Sequence, residues 1–411
     1  MRKFEEYESL FVQEIGNKTG AINPVITQSA SYGYDNSEEA EGIFCGTVAK
    51  PLYARVGNPT SAKLESVLSK MDGGAGAIAT SSGMGAITLA TMSLLKAGDE
   101  VISIGGLFGG TYAFFKETIS RFGIKTNFFD VEELNEIEKS INENTKIIFL
   151  ESVGNPNLRL PNIQAISNIA NKHKVITIID NTVTPLSVKP LDLGIDIIVY
   201  STTKLIAGNA SALGGAVVFR EIVDTDKLLN NKRYPFLNKF FDKVGKNALI
   251  ANGKKRALRD FGMSANANAS YLTLLGLETL PLRLEKITDS ITKIAFHLYT
   301  MGIKVNHPSL PEHEHKDLYN SSFKKGTGPI LTIDLKTKEK AFKFLNQSKL
   351  ITITANIGDT RTLGLHMAST IYQDFTKEER EFLGITDGLV RISIGIENPD
   401  DLIEDFIEAL H

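Results

Sequence analysis

The residues best suited to chemistry follow one short apolar segment, Asp196-Ile-Ile-Val-Tyr-Ser-Thr-Thr-Lys204. Apolar runs of this kind predict strands of a parallel sheet buried on both faces, where ligands lie beyond the carboxyl ends of the strands. A lysine amine held at such an edge has a lowered pKa and can attack a carbonyl, while the hydroxyls of Ser201 and Thr203 suit a phosphate. Amine, carbonyl and phosphate together indicate pyridoxal phosphate (PLP). The alternative is an exposed lysine at a strand end, because lysines are mostly exposed.

An acidic side chain closes the preceding apolar segment, which ends Ile178-Ile-Asp180-Asn-Thr. A buried aspartate at this position is costly unless it is paired or hydrogen-bonded. A pyridinium nitrogen is a suitable partner, and an acid is the expected companion of a lysine that forms a Schiff base with PLP. Because both segments are predicted strands, we expect Asp180 and Lys204 to lie on the same edge of the sheet.

Three further predicted strands are each followed by a candidate cofactor contact. Ser81-Ser-Gly-Met-Gly85 opens a predicted helix, whose free N–H groups form an anion site or need only a helix cap. Phe108 precedes two glycines and can stack on a planar ring or pack in the core. Asn155 can donate its amide to a phenolate oxygen or form a plain Asn-Pro turn. Each of these candidates therefore keeps a purely structural alternative.

Two arginines are candidates for binding anions. Arg55 lies in Tyr53-Ala-Arg55-Val-Gly-Asn-Pro-Thr60, where its planar fork suits phosphate and Tyr53 adds a hydroxyl. The alternative there is a solvated turn with an exposed arginine. Arg391 lies within an apolar strand pattern and is expected to point into a cleft, where it takes a substrate carboxylate or forms a buried ion pair.

The order of elements predicts two domains and an arm. Strand and helix patterns alternate from about residue 60 to about residue 220, which predicts a βαβ series and a largely parallel sheet. We divide the chain into an irregular arm that contacts a neighbouring subunit (1–58), a large α/β domain that binds PLP (59–262) and a smaller α+β domain (263–411). Pro281 is expected to break a long amphipathic segment, and Asn398 to cap the last helix.

Composition indicates an ordinary globular protein of 411 residues, 42% of them hydrophobic, with a net charge of −3. This charge gives no support for nucleic acid or a membrane surface as a partner. The single cysteine, Cys45, excludes an intrachain disulfide, and the acidic N-terminus is unlike a signal peptide. No apolar run approaches the ~18 residues of a membrane span, so we expect a cytoplasmic protein. His307, His313 and His315 match no metal-binding spacing, and no metal is expected.

Seven motifs occur in an order that resembles the Cys/Met-metabolism PLP enzymes, a family that includes cystathionine γ-synthase, methionine γ-lyase and O-acetylhomoserine sulfhydrylase. The resemblance covers nearly the whole chain. It implies a fold-type I large domain like that of aspartate aminotransferase, with a mostly parallel sheet, a smaller α+β C-terminal domain and a homotetramer built as a dimer of dimers. The motifs are Tyr53-x-Arg55…Asn58-Pro-Thr, Ser82-Gly-Met, Phe108-Gly-Gly-Thr, Asn155-Pro, Asp180-Asn-Thr, Ser201-x-Thr-Lys204 and Arg391-x-Ser-x-Gly.

The resemblance also implies a role for each motif. Lys204 resembles the Schiff-base lysine and Asp180 the partner of the pyridine nitrogen, which makes these two the candidate catalytic residues. Asn155 resembles the residue near the phenolate oxygen, and Arg391 the clamp for the substrate carboxylate. The remaining roles concern the phosphate: Ser82, Gly83, Met84, Ser201 and Thr203 look like its cradle, and Tyr53 and Arg55 look like the pair that reaches the phosphate of the adjacent subunit.

Two segments are similar to the sulfhydrylase branch of this family. They are Arg256-Ala-Leu-Arg-Asp-Phe-Gly…Leu-Gly-Leu-Glu-Thr-Leu-Pro-Leu-Arg283 and Asn356-Ile-Gly-Asp-Thr-Arg-Thr-Leu. Asn356 stands where lyases and synthases usually have serine, and we expect it to contact substrate. Phe108 departs from the tyrosine of most members and cannot transfer a proton. Acetate needs little help to leave, so Phe108 fits an O-acetylated substrate.

These signals predict conversion of O-acetyl-L-homoserine and a sulfur donor into L-homocysteine and acetate, a step of methionine biosynthesis. The donor is sulfide or sulfur bound to a carrier protein, which would then be a partner. The alternatives are methionine γ-lyase activity, cystathionine γ-synthase or lyase activity, and a PLP-binding protein without catalysis. Arg391 argues against the last alternative, because storing a cofactor needs no substrate clamp.

Overall fold

A computed structural model of the chain describes residues 6–15, 20–323 and 325–411. In these residues seven strands form the larger sheet, in the order β1-β7-β6-β5-β4-β2-β3. Strands β2 to β6 run parallel to one another, and β7 is antiparallel to both β1 and β6, so the predicted mostly parallel sheet is confirmed. The strands are β1 (Gly76–Thr80), β2 (Glu100–Ile104), β3 (Lys125–Phe129), β4 (Thr145–Glu151), β5 (Ile176–Asp180), β6 (Ile197–Tyr200) and β7 (Gly215–Phe219).

Helices cover both faces of this sheet, and successive strand residues alternate between two apolar cores. Ile147 and Phe149 of β4 pack in one core, and Ile148 and Leu150 pack in the other, which explains why the strand is apolar at every position. The helices are α1 (Tyr7–Ile15), α2 (Ser37–Cys45), α3 (Pro59–Asp72), α4 (Gly83–Met92), α5 (Gly109–Ala113), α6 (Leu134–Ser140), α7 (Ile163–His173), α8 (Leu237–Val244), α9 (Ala248–Gly253), α10 (Arg259–Phe261), α11 (Ala267–Glu278), α12 (Leu280–Thr300), α13 (Lys316–Ser322), α14 (Lys338–Gln347), α15 (Lys377–Phe382) and α16 (Pro399–Leu410).

The smaller sheet belongs to the C-terminal part of the chain and has the order β10-β11-β12-β9-β8. Its central pairs are antiparallel, and only the short edge pair β10–β11 is parallel within the described residues. Pro281 lies in the first turn of α12 and separates it from α11, and the Asn398 side chain caps α16, as both residues predict. The strands are β8 (Val305–Asn306), β9 (Ile330–Asp334), β10 (Thr352–Ile353), β11 (Leu363–His366) and β12 (Leu389–Ser393).

The predicted irregular character of residues 1–58 is wrong at two places, because α1 and α2 are helical. The buried side chains of α1 include Phe11 and Ile15, which join the core beside α3 and α11 of the same chain. Their spacing is helical, but nine residues are too few for a helix that propensity alone would hold. Residues 1–5 and 16–19 of the predicted arm lie outside the described residues.

The division near residue 262 stays a prediction, although α11 and the start of α12 contribute Leu274, Leu277 and Leu284 to the core of the larger sheet. Among the described residues, no helix combines the length and apolarity that crossing a membrane requires.

Candidate active site

A cavity of about 220 Å³ lies at the carboxyl ends of β4, β5 and β6, between the two sheets. This is the edge at which open α/β sheets bind ligands. The structure therefore brings together the following predicted residues as lining of one cavity: Ser82, Gly83, Met84, Phe108, Asn155, Asp180, Ser201, Thr203, Lys204 and Arg391.

Lys204 enters this cavity from a turn that follows β6. The turn is closed by hydrogen bonds from the Ala207 N–H to the Thr202 carbonyl at 2.9 Å and from the Gly208 N–H to the Lys204 carbonyl at 2.8 Å. The Lys204 Nζ donates to Oδ1 of Asn356 at 2.6 Å. Burial, and secondarily the charge of Arg391, lowers the pKa of Lys204 to about 8. The amine is therefore available in its neutral, nucleophilic form much more readily than an exposed lysine.

Asp180 ends β5 beside this lysine strand, as predicted. Its Oδ1 accepts a hydrogen bond from the Thr182 N–H at 2.9 Å, which orients the carboxyl group. Burial raises the pKa of Asp180, and the bonds from Thr182 oppose this effect. A cationic ring nitrogen in the cavity would favour the charged carboxylate, so the site suits the predicted pyridinium partner.

Glu151 is a second buried acid that the sequence analysis did not identify as part of the site. It ends β4, pairs directly with Asp180 in the parallel register and is 8% exposed. Its Oε1 accepts a hydrogen bond from the Phe108 N–H at 2.9 Å. Burial, and then the charge of Asp180, raises the pKa of Glu151 well above its usual value, so the folded protein favours the neutral carboxyl. The signal was available, because an acid closes this apolar strand as Asp180 closes the next one.

The start of α4 has the features of a phosphate site. The Ser82 Oγ accepts from the Gly85 N–H at 3.0 Å, so the N-cap alternative is also correct. Gly83 and Met84 line the cavity and lie in the first turn, where a helix supplies no acceptor for the N–H groups. A side chain at Gly83 would place its Cβ 2.6 Å from the Cβ of Ser201, so only glycine lets these two segments approach.

The hydroxyl of Thr203 is held by the backbone of Gly214, to whose carbonyl it donates at 3.1 Å and from whose N–H it accepts at 2.9 Å. The two cradle segments, at residues 82–84 and 201–204, thus have fixed positions. The amides at the start of α4, a nearby hydroxyl, an amine and an acid in one cavity fit PLP in both size and chemistry.

Arg391 is a buried cation at the opposite side of the cavity and is 2% exposed. Its Nη1 donates to Oδ1 of Asn155 at 3.1 Å, and its Nη2 donates to the carbonyls of Ala355 and Asn356 at 3.2 and 3.3 Å. Among the described residues it forms no ion pair, which gives no support to the buried ion-pair alternative. Burial lowers the pKa of Arg391 to about 10, and a substrate carboxylate would relieve this cost.

Asn155 and Phe108 complete the walls around the cofactor position. Because Arg391 occupies the amide oxygen of Asn155, the amide N–H₂ is the group left to donate to a phenolate oxygen. Phe108 precedes α5 and presents a ring without a hydroxyl to the cavity.

Tyr53 and Arg55 do not line this cavity. The Arg55 guanidinium carbon lies 5.6 Å from the centre of the Tyr53 ring, and both side chains are exposed. Arg55 also donates to the carbonyl of Arg259. Their predicted contact with the phosphate of an adjacent subunit stays a prediction.

Comparison with known proteins agrees with this geometry. The sequence model of the family of Cys/Met metabolism PLP-dependent enzymes matches residues 10–411. Homocysteine synthase of Schizosaccharomyces pombe is 34% identical over 99% of this chain and 98% of its own, and L-methionine gamma-lyase of Fusobacterium nucleatum subsp. nucleatum is 34% identical over 96% and 94%. O-acetyl-L-homoserine sulfhydrylase 1 of Thermus thermophilus is 35% identical over 94% of both chains.

A solved structure shares the whole fold. It is the crystal structure of a Campylobacter jejuni protein provisionally assigned as an O-acetylhomoserine (thiol)-lyase, which contains N′-pyridoxyl-lysine-5′-monophosphate. Its TM-score is 0.91 at 35% identity, with 98% of this chain and 99% of that chain covered. The predicted fold class and the predicted cofactor are thus confirmed, and the chain belongs to the Cys/Met metabolism PLP-dependent enzymes.

Proposed function

We propose that the chain catalyses a γ-replacement in which O-acetyl-L-homoserine and a sulfur donor give L-homocysteine and acetate, a step of methionine biosynthesis. One observation carries this proposal: Lys204 and Arg391, whose guanidinium forms no ion pair among the described residues, line the same small cavity. An α-amino acid needs a group that binds its carboxylate and a base beside its Cα, and these two residues can supply them.

When bound, PLP supplies the electron sink that stabilises negative charge at the substrate Cα. Asp180 would hold the ring nitrogen, and the amides of Gly83 and Met84 would hold the phosphate. Lys204, once its amine is free, would remove the proton from Cα, pass it on, and remove a second proton from Cβ as acetate leaves Cγ with the bonding electrons. The sulfur donor would then form the new bond to Cγ, and the protonated lysine amine would return protons to Cβ and Cα. Arg391 holds the α-carboxylate, so that Cα stays within reach of the lysine Nζ.

Phe108 and the relatives favour an acetylated substrate over methionine. The Phe108 ring has no proton to give a departing thiolate, whereas acetate leaves without one. Relatives from Schizosaccharomyces pombe and Thermus thermophilus are named for homocysteine synthesis or O-acetylhomoserine sulfhydrylation. The methionine gamma-lyase of Fusobacterium nucleatum is equally similar, at 34% identity, and keeps γ-elimination as the second candidate.

The finer parts of the proposal concern assembly and location. We propose a homotetramer in which residues of the arm, with Tyr53 and Arg55, complete the phosphate site of an adjacent subunit. The exposure of the apolar side chains Ile22 (91%) and Val25 (51%) supports a contact with a second copy. A cytoplasmic location and a carrier protein as sulfur donor are proposals that rest on the sequence and the chemistry alone.

Product analysis with the Lys204→Ala variant tests the function. Wild-type protein loaded with PLP should form homocysteine from O-acetylhomoserine only when sulfide is added. Lys204→Ala should lose at least ~10²–10⁴-fold in rate, because it removes the base and the cofactor anchor together. Methanethiol and 2-oxobutyrate from methionine would favour the lyase, and cystathionine would favour the synthase. Full activity of Lys204→Ala would refute the proposal.

A further inference from the structure

A buried arginine outside the cavity binds the turn that carries Lys204. Arg283 lies in the first turns of α12 and is 8% exposed. Its Nη1 donates to the Leu205 carbonyl at 2.7 Å and its Nη2 to the Ile206 carbonyl at 3.3 Å. Arg283 therefore contacts the two residues that follow Lys204 in the chain.

Two more acceptors complete the surroundings of this guanidinium. Nη2 also donates to the Gly276 carbonyl at 2.7 Å, and Nε donates to Oγ1 of Thr279 at 3.2 Å. All of these acceptors are neutral, and within the described residues Arg283 forms no ion pair. Burial lowers the pKa of Arg283 to about 10, with Asp359 as the charge that opposes this effect. Burying a guanidinium without a carboxylate contact costs free energy, so its hydrogen bonds indicate a specific role.

Arg283 supplies hydrogen-bond donors that the backbone of the turn itself lacks. No backbone N–H of the described residues bonds the carbonyls of Leu205 and Ile206, while the carbonyl of Lys204 is bonded by the Gly208 N–H at 2.8 Å. Buried carbonyls without donors destabilise a turn. The fork of one guanidinium satisfies both carbonyls and fixes their direction relative to α12.

Three glycines from three segments allow this close packing. A Cβ at Gly208, whose φ is +78°, would lie 2.1 Å from Nη1 of Arg283. A Cβ at Gly276 would lie 2.4 Å from the Ala207 carbonyl oxygen, and one at Gly358 would lie 2.8 Å from Leu205. The turn is therefore enclosed by Arg283 and by the segments around residues 276 and 358, and has little freedom to shift.

We propose that Arg283 is a positioning residue for Lys204: its guanidinium holds the turn so that the lysine amine meets both Asn356 and the substrate. The inference rests on the proposed role of Lys204 as the reacting amine. The proposal also assigns a role to the segment that ends at Arg283. This segment is similar to the sulfhydrylase branch but does not line the cavity. Proton transfer depends steeply on distance, and a shift of about 1 Å at the turn is enough to cost about 10²-fold in rate.

The test compares Arg283→Lys with Arg121→Lys, a matched change at an exposed arginine beside the sheet edge β3. Lysine keeps the charge but loses the fork that reaches several carbonyls. Both variants are purified with PLP, and the visible absorbance of the lysine-linked cofactor is titrated with pH. Arg283→Lys should bind PLP, shift this spectroscopic titration, and lose roughly 10- to 100-fold in kcat with KM within about threefold of wild type. Arg121→Lys should match wild type.

The outcomes distinguish a positioning role of Arg283, a purely structural role, and failure of the proposed function. A fall in thermal stability with an unchanged titration and an unchanged kcat per bound PLP means that Arg283 is only structural, and overturns the inference. Absence of the chromophore from wild-type protein refutes the proposed function itself. If Arg283→Lys does not fold, Thr279→Val removes the acceptor of Nε at an exposed position, together with the long bond from its hydroxyl to the Gly276 carbonyl. This variant should lower kcat by about threefold, without loss of PLP. An unchanged kcat in Thr279→Val would then overturn the inference.

Discussion

The free energy of unfolding of Glu151→Gln, relative to that of wild type, should increase as the pH rises. The Glu151 carboxyl is 8% exposed and lies beside Asp180, and both conditions raise its pKa in the folded protein. Glutamine is neutral at every pH and keeps an oxygen that can accept the bond from the Phe108 N–H. The substitution therefore removes a titration and preserves the contact.

The size of the effect follows from the number of protons bound. The folded-state pKa of Glu151 is raised, so its stability contribution is fully present below the unfolded value of 4.5 and is lost as the pH rises through the folded value. Between these two values the folded protein holds one more proton than the unfolded chain. The free energy of unfolding of wild type should then fall by about 1.4 kcal/mol per pH unit relative to Glu151→Gln.

Urea unfolding of the PLP-free protein at one fixed protein concentration, from about pH 5 to about pH 8, measures this difference. Glu404→Gln, at an exposed position of α16, is the matched control and should parallel wild type at every pH. Glu151→Leu removes the acceptor of the Phe108 N–H and should cost about 1–3 kcal/mol. A difference between wild type and Glu151→Gln that does not change with pH would show that Glu151 is ionised in the folded protein, and would refute the reasoning.

Two further predictions concern the walls of the cavity. Gly83→Ala puts a Cβ 2.6 Å from Ser201, so the affinity of the apoprotein for PLP should fall by about tenfold or more in equilibrium binding, whereas Gly33→Ala, with open space around it, should bind as wild type does. Phe108→Tyr adds a proton donor to the ring that lines the cavity and should raise the release of methanethiol and 2-oxobutyrate from methionine by about 10²-fold. An unchanged rate of elimination in Phe108→Tyr would show that another group protonates the leaving thiolate.

The sequence predicts the part of the site that parallel strands impose. Asp180 and Lys204 follow adjacent strands, and the carboxyl ends of parallel strands meet at one edge, so their proximity needs no knowledge of packing. Arg391 was predicted to face a cleft because a charge within an apolar strand needs a partner. The partner it has, Asn155, lies 236 residues away in the chain, in the loop that follows β4 of the larger sheet, which local patterns do not reveal.

What the sequence analysis missed depends on contacts between distant segments. The α1 helix packs through Phe11 and Ile15 on a core built mainly by later residues, so its stability is tertiary. Glu151 gains its role from the N–H of Phe108, which a loop brings beside the end of β4. Arg283 occurs in a motif that the sequence picks out, but its targets are carbonyl groups, and carbonyls of a turn have no signature in side-chain types.

The residues of the site come from both sheets. Because of this arrangement, substrate bound at Arg391 would change the pKa of Lys204. Asp180 and the lysine come from the larger sheet, while the smaller sheet contributes Arg391 to the cavity wall. A loop of the smaller domain contributes Asn356, which accepts from the lysine Nζ. The charge of Arg391 is the second cause, after burial, of the lowered pKa of Lys204. A substrate carboxylate paired with Arg391 would cancel much of that charge, and the amine would become a stronger base once the substrate is in place. The lysine would thus be easiest to deprotonate in the empty site, and better able to accept a proton with Cα beside it.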